Sequence, residues 1–342
     1  MRPPGYFRRI QSNASKLWDR LEGDPVLAGP WRQLFIQVQS PRHVVSELLQ
    51  NADDAGATDA SVEISNGEFI FSHNGEDFNE EQFASLCRFG FSNKRTLHTV
   101  GFRGVGFKST FSLGDEVHLI TSSLSVAFQK QRFTEPVWTE SSGTLDGRTE
   151  IRVAIQSQRV QQELIKNLQE WSQSPASLLF FNNIRCLRLD EREIRWESQG
   201  TGPVEGSEWM SASNTSGNRY LIIRSPEEEF PEEALNEIKD ERMAPDDGGT
   251  FPPCRVEIVL GMEGRLFVVL PTGVTTQLPF ACNAPFIQDP ARVKIKDPIL
   301  SPTNTWLLKR AGELAADAML TWVAGETHSI EERCQGYGCS LT

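Results

Sequence analysis

The stretch from Ser40 to Gly56, Ser-Pro-Arg-His-Val-Val-Ser-Glu-Leu-Leu-Gln-Asn-Ala-Asp-Asp-Ala-Gly, leaves the chain little choice of local structure. Ser40 suits an N-cap, Pro41 the first helical position and Gly56 the stop. Within that helix Val45, Leu48, Leu49 and Ala52 make an apolar stripe that a sheet or another helix has to cover. Glu47, Asn51 and Asp54 recur at i, i+4 and i+7, so the three polar groups share one face. A carboxylate one turn before an amide sets a proton acceptor beside a neutral oxygen. Alone, the same face would be an ordinary solvated one.

Short alternating strands follow. Val62 and Ile64 face one way and Ser61 and Glu63 the other, Asn66-Gly67 supplies a two-residue turn, and Glu68 to Ser72 returns as the partner. Further strands are expected over 116–121, 124–129 and 149–155. Antiparallel strands backed by helices give an α+β sandwich with an antiparallel-rich sheet, not a doubly wound parallel one. A helix over 158–171 then leads to more strands, at 184–189, 193–197, 220–224, 255–260 and 266–270. The acidic run 226–249 reads as a solvated helix and loop, and a last helix spans 304–325. At 342 residues the chain has room for two cores. The expected divisions are a lead-in over 1–30 with a short helix near 15–21, a first domain over 31–156, a second over 157–325 and a tail over 326–342.

Gly101-Phe102-Arg103-Gly104-Val105-Gly106-Phe107-Lys108-Ser109 is the second informative segment. Its glycines let the backbone turn sharply and offer N–H groups to phosphate, with a helix starting near Lys108. A P-loop requires its lysine directly after the last glycine, and here Phe107 intervenes. Val100 also follows a His/Arg/Thr loop rather than a buried strand, so a P-loop fails on spacing and on context. A net charge of -12 argues against a broad hold on nucleic acid. Six scattered cysteines without a C-x-x-C pair read as reduced thiols rather than as a zinc site or a disulfide framework. The longest apolar run, Leu266 to Leu270, is far too short for a membrane span, and the start lacks the apolar core of a signal peptide. Cys339-Ser340-Leu341-Thr342 lacks the aliphatic centre of a prenylation box. A cytoplasmic chain with no membrane role is the expectation.

Taken in order, the two segments resemble the N-box and the second glycine box of the GHKL ATPases, most nearly the sacsin-like branch that is related to the heat-shock chaperone. Between them, His73-Asn74-Gly75-Glu76-Asp77-Phe78 stands where the first glycine box belongs, and Ser92-Asn93-Lys94 resembles the S-x-K of the lid. Gly147-Arg148-Thr149-Glu150-Ile151 resembles the G-x-T strand. The resemblance covers roughly residues 31–155. Farther on, Leu270-Pro271-Thr272 and the run from Leu278 to Phe286 resemble the sacsin-like coupling, or middle, domain. In that pattern an arginine follows six residues after the last Phe, which falls on Arg292.

The resemblance implies a Bergerat-type α/β sandwich that binds ATP with Mg2+, followed by a second α/β coupling domain. It also implies roles. Glu47 would activate the attacking water and Asn51 would ligate Mg2+, which needs few protein oxygens once phosphates and waters fill its octahedron. Gly101, Arg103, Gly104, Val105, Gly106 and Phe107 would surround the phosphates, with Lys108 nearby. Ser92 and Lys94 would belong to a lid over 88–100 that closes on nucleotide. Thr149 would hydrogen-bond toward adenine, Asp54 would support the pocket, and Arg292 would reach the γ-phosphate.

One departure stands out. The family's first glycine box usually carries an Asp that accepts the adenine amino proton, whereas this chain has His73, Asn74 and Gly75 there. A neutral imidazole or an amide oxygen would have to accept instead. The implied activity is slow ATP hydrolysis that drives lid closure, domain rearrangement or homodimerisation. It would serve a chaperone-like or regulatory module with a protein partner or client, or a genome-defence system with a nuclease partner, and would meet nucleic acid only indirectly. Two other readings compete. A DNA clamp shares the ATPase domain but is disfavoured by the acidic balance, and a nucleotide-binding scaffold without turnover is disfavoured by an intact Glu47. A histidine kinase would need a phosphoacceptor on a dimerising helix, which none of the five histidines provides.

Overall fold

Phe7, Ile10, Ala14, Trp18 and Leu21 recur every three or four residues, and the segment folds as helix α1 (Phe7–Gly23) with all five buried. The structure, a computed structural model, describes residues 2–37, 41–88, 106–140, 147–173, 176–213, 219–242, 251–289 and 294–324. What the sequence suggests is a lead-in is therefore helical, and it continues past Asp24 as α2 (Pro25–Gln37), which runs through Pro30. Trp18 donates to Thr134 Oγ1 at 2.8 Å and meets Phe133 edge-on, and Phe35 stacks on Phe133 at 4.0 Å between centroids. These aromatic contacts fasten both helices to the residues around Phe133.

Next comes α3 (Pro41–Asp54), with Val44, Val45, Leu48, Leu49 and Ala52 buried. Its expected N-cap, Ser40, lies outside the described residues. The helix stops where the Ala57 N–H returns to the Ala52 carbonyl at 3.0 Å, past Gly56. Strands β1 (Asp59–Ser65) and β2 (Glu68–His73) form the expected hairpin. Asn66 and Gly67 sit at φ 52° and 77°, the two left-handed positions of a type I′ turn. Helix α4 (Glu80–Leu86) begins with a reciprocal capping box between Asn79 and Gln82.

The remaining strands of this unit are β3 (Glu116–Ile120), β4 (Ser125–Gln129), β5 (Pro136–Trp138) and β6 (Thr149–Ala154). Helix α5 (Gln158–Gln173) and strand β7 (Cys186–Leu189) complete it. The sheet order is β7-β1-β2-β6-β3-β4-β5, parallel between β7 and β1 and antiparallel elsewhere. With α3 packed against β1 and α5, this is an α/β sandwich with an antiparallel-rich sheet. The chain divides into two compact units, and the first holds the described residues up to 173 together with 181–194. Parallel pairing of β7 with β1 and packing of α5 on α3 carry that unit well past residue 156.

The second unit holds 176–180 and the described residues from 195 on. Its elements are α6 (Ala176–Leu179), β8 (Arg192–Thr201, from residue 195), β9 (Ser207–Ala212), β10 (Arg219–Arg224) and α7 (Glu232–Arg242). They continue as β11 (Glu257–Leu260), β12 (Arg265–Val268), β13 (Leu270–Thr275), β14 (Phe280–Asn283) and α8 (Pro302–Ala324). The strand order is β13-β12-β14-β11-β10-β9-β8. Leu221, Ile223, Ile258 and Leu260 of the sheet bury against Leu307, Ala311 and Trp322 of α8. The acidic run becomes α7, which is not wholly solvated because Ala234 and Ile238 join this core. Among the described residues, no helix is long and apolar enough to cross a membrane.

Candidate functional site

The polar face of α3 opens on a cavity within the first unit. Glu47, Asn51 and Asp54 line it from that helix, His73 from the end of β2, and Thr149 and Ile151 from β6. Gln82, Ser85 and Leu86, spaced i, i+3 and i+4 along α4, form another wall, and Gly106, Phe107 and Lys108 open the 3-10 turn Gly106–Ser112 beside it. Glu76 and Phe78 complete the lining between β2 and α4.

Glu47 and Gly106 touch closely. A Cβ placed on Gly106 would fall 2.4 Å from Glu47 Oε2 and 3.6 Å from Asn51 Nδ2, so only glycine leaves the carboxylate where it is. A proton acceptor, an amide and the first residue of a turn thus converge at one point. The first glycine box sits elsewhere on α3: the Glu76 N–H donates to the Ala55 carbonyl at 2.8 Å, at the helix's far end. Glu47 and Ala55 are about 12 Å apart along the axis, at 1.5 Å per residue.

His73 is buried, and its Nδ1 accepts the Gly75 N–H at 3.1 Å. Burial, together with the positive charge of Arg148, pushes the imidazole down to about 4, so it is neutral at physiological pH. A neutral ring that accepts at Nδ1 carries its proton on Nε2. The acceptor role expected of His73 is therefore already taken by the backbone, and what the ring has left to offer is a donor. Asn74 is not a second reader. Its Oδ1 accepts the N–H groups of Thr58 and Asp59 at 2.9 and 3.0 Å, and its Nδ2 donates to Thr58 Oγ1, which pins the start of β1. Asn74 and Gly75 do not line the cavity.

Lys108 is almost fully buried, with Nζ donating to the Leu86 carbonyl and lying 5.1 and 5.7 Å from the ring centres of Phe107 and Phe128. Burial pushes its ammonium down to about 8. The neighbouring Cys87 thiol is pushed up to about 12 by the same desolvation, so it is an inert core group.

Asp53, which the sequence does not single out, turns the opposite way from Asp54. Its carboxylate accepts the N–H groups of Asn182, Asn183 and Ile184 at 3.0, 2.7 and 3.0 Å, and Asn183 Nδ2 donates to the Asp53 carbonyl at 2.9 Å. Of the other residues expected at the site, Ser92, Lys94, Gly101, Arg103, Gly104, Val105 and Arg292 lie outside the described residues. Glu76 and Phe78 were within reach of the sequence, because they stand in the motif that contains His73. Gln82, Ser85 and Leu86 could have been found only from the helical spacing of α4 once its place was known.

A sequence profile described as "Histidine kinase-, DNA gyrase B-, and HSP90-like ATPase" matches residues 39–171, the span from α3 to α5 that carries the whole cavity lining. Residues 39–171 are a GHKL-type ATPase domain. Its fold is the α/β sandwich of that class. The chain resembles the DNA mismatch repair protein MutL of Pelobacter propionicus, at 38% identity over 22% of this chain and 14% of that protein. MutL of Chlorobium chlorochromatii matches at 44% identity over 22% of this chain and 13% of its own length. Human sacsin matches at 27% identity over 28% of this chain and 3% of its own length. The chain thus spans less than a sixth of each of these relatives.

Proposed function

We propose that the ATPase domain binds Mg-ATP in this cavity and hydrolyses it slowly. The contact of Glu47 with Gly106 beside Asn51 carries the reading, because it sets a carboxylate against the start of a backbone turn that can receive phosphate. Glu47 polarises a water for in-line attack on the γ-phosphate, and N–H groups of the turn take up charge as the bond to the leaving phosphate breaks. The base then lies toward the far end of α3, about 12 Å from Glu47, a span that suits an extended nucleotide.

Among the described residues, no group of three or more His, Cys, Asp or Glu side chains is placed to hold a metal ion by itself. Asn51, beside the start of the turn, would supply the protein oxygen for Mg2+, and phosphates and waters would complete its shell. When bound, the ion neutralises phosphate charge. Asn51→Ala tests the arrangement by thermal shift. The parent should gain about 2.7 kcal/mol at a hundredfold excess of Mg-ATP over Kd. The variant should gain little, and an equal gain would refute the assignment.

Lys108 adds positive potential from its buried position. Because its ammonium titrates at about 8, Mg-ATP affinity should weaken several-fold as pH is raised through that value, and should recover on return. A flat profile in a binding titration would remove Lys108 from the reading. Arg292 keeps the γ-phosphate role on the strength of the sequence pattern alone.

The output we propose is conformational: closure over nucleotide, homodimerisation, or rearrangement of the second unit, in a cytoplasmic chaperone-like or regulatory module acting with a protein partner or a nuclease. The identity to two MutL proteins favours a second reading, a clamp that acts on DNA, and the net charge of -12 speaks against it. Stimulation of turnover by duplex DNA at moderate salt would decide for the clamp.

A further inference from the structure

We propose that His73 reads the purine as a hydrogen-bond donor, recognising N1 of the ring and ignoring the exocyclic amino group. The inference rests on the reading of the cavity as an ATP site and adds how the base is chosen. His73 and Thr149 are direct partners across β2 and β6, so their side chains are neighbours in the cavity lining. They stand by the end of α3 remote from Glu47, because the Glu76 N–H holds this turn to the Ala55 carbonyl. A nucleotide with its γ-phosphate at Glu47 therefore brings its base to His73. The purine edge farthest from the sugar is N1 and C6, and it enters first. At that edge adenine offers one acceptor, N1, beside one donor, the amino group.

The imidazole cannot accept the amino proton, since Nδ1 already accepts the Gly75 N–H. Turning the ring over would face Gly75 with a C–H and leave a buried N–H unpaired. Nor can the loop move away to release it. A Cβ on Gly75 would already lie 2.8 Å from the Ala55 carbonyl oxygen and 3.0 Å from His73 Nδ1, so the backbone is wedged between them. The Nε2–H is thus a fixed donor, and N1 is the acceptor that meets it. The Thr149 hydroxyl, able to give or accept, adapts to whatever stands at C6. Asp54 and Glu76 also line the cavity and are the groups that would bind an amino proton if the base were read in the opposite sense.

The experiment compares binding of ATP, purine riboside 5′-triphosphate (no amino group) and 1-deaza-ATP (no N1) to the intact chain by calorimetry. Purine riboside triphosphate should bind within about fivefold of ATP, and 1-deaza-ATP about tenfold or more weakly, the range for leaving a buried donor unpaired. His73→Phe should bind ATP and 1-deaza-ATP equally, at the weaker level. His73→Gln, whose amide can still donate, should keep the preference and guards against misfolding of the first variant. Any other ranking with ATP still bound overturns the donor reading, and persistence of the N1 preference in His73→Phe removes His73 from it. If no triphosphate binds the parent, the ATP reading fails first and this one with it.

Discussion

Glu47→Ala should lower ATP turnover by about 10²–10⁴-fold, the usual cost of losing a general base, and leave ATP affinity within a few-fold of the parent. The separation follows from where the carboxylate acts. On the proposed reading it handles the water, whereas phosphate and base would be held by the turn, by Asn51 and by the β2–β6 wall. Gly106→Ala should give a related phenotype through geometry alone, because the new methyl group would come within 2.4 Å of Glu47 Oε2 and push the carboxylate aside. The two variants differ in one respect. Gly106→Ala keeps the carboxylate, so shortening it with Glu47→Asp in the same background should restore part of the activity. A steady-state phosphate-release assay with a parallel binding titration checks both. Near-parental turnover in Glu47→Ala would mean that the base is another group, and loss of binding along with turnover would mean that Glu47 orders the cavity instead.

Asp53→Ala should destabilise the first unit by about 2–3 kcal/mol, which for a unit of this size lowers the melting temperature by roughly 4–12 °C. Asp53 is 5% exposed, and its carboxylate accepts three successive backbone N–H groups. Alanine would leave three successive N–H donors without their acceptor, that of Ile184 buried and those of Asn182 and Asn183 on residues that are themselves exposed. Asp53→Asn, which keeps one acceptor oxygen, should fall between the two. Thermal and urea melts read the effect directly. A melting temperature within a degree or two of the parent would show that the 182–184 segment is held by something else.

These two neighbours on α3 also mark what the sequence could and could not reveal. Glu47, Asn51 and Asp54 were legible because helical spacing alone puts them on one face, and the structure brings all three to the cavity. Asp53 was illegible because its partners lie about 130 residues away, and nothing local distinguishes a carboxylate that turns inward. The β1–β2 hairpin was legible from Asn66-Gly67 and strict alternation. The short helix expected near 15–21 proved to be part of a longer α1, whose extent lies in the apolar spacing of Phe7, Ile10, Ala14, Trp18 and Leu21, and α2 was hidden by Pro30, a residue that ordinarily interrupts a helix. Strand β7 enters the first sheet by parallel pairing with β1, a long-range choice that no hairpin signal announces. Whether the His73 ring has an acceptor to spare depends on a backbone N–H two residues away, which residue type alone does not reveal.

Helix α4 has two sides. One carries Gln82, Ser85 and Leu86 into the cavity lining, and the other presents Phe83, fully buried, whose ring lies 6.0 Å from Phe7 and 6.2 Å from Tyr6 at the start of α1. A ligand that steadies α4 from the cavity also steadies the seat on which α1 rests. Thermodynamic reciprocity then requires that whatever loosens α1 weakens the ligand by the same factor. Hydrogen exchange at the amides of α1 would thus report cavity occupancy, although α1 contributes no residue to its lining.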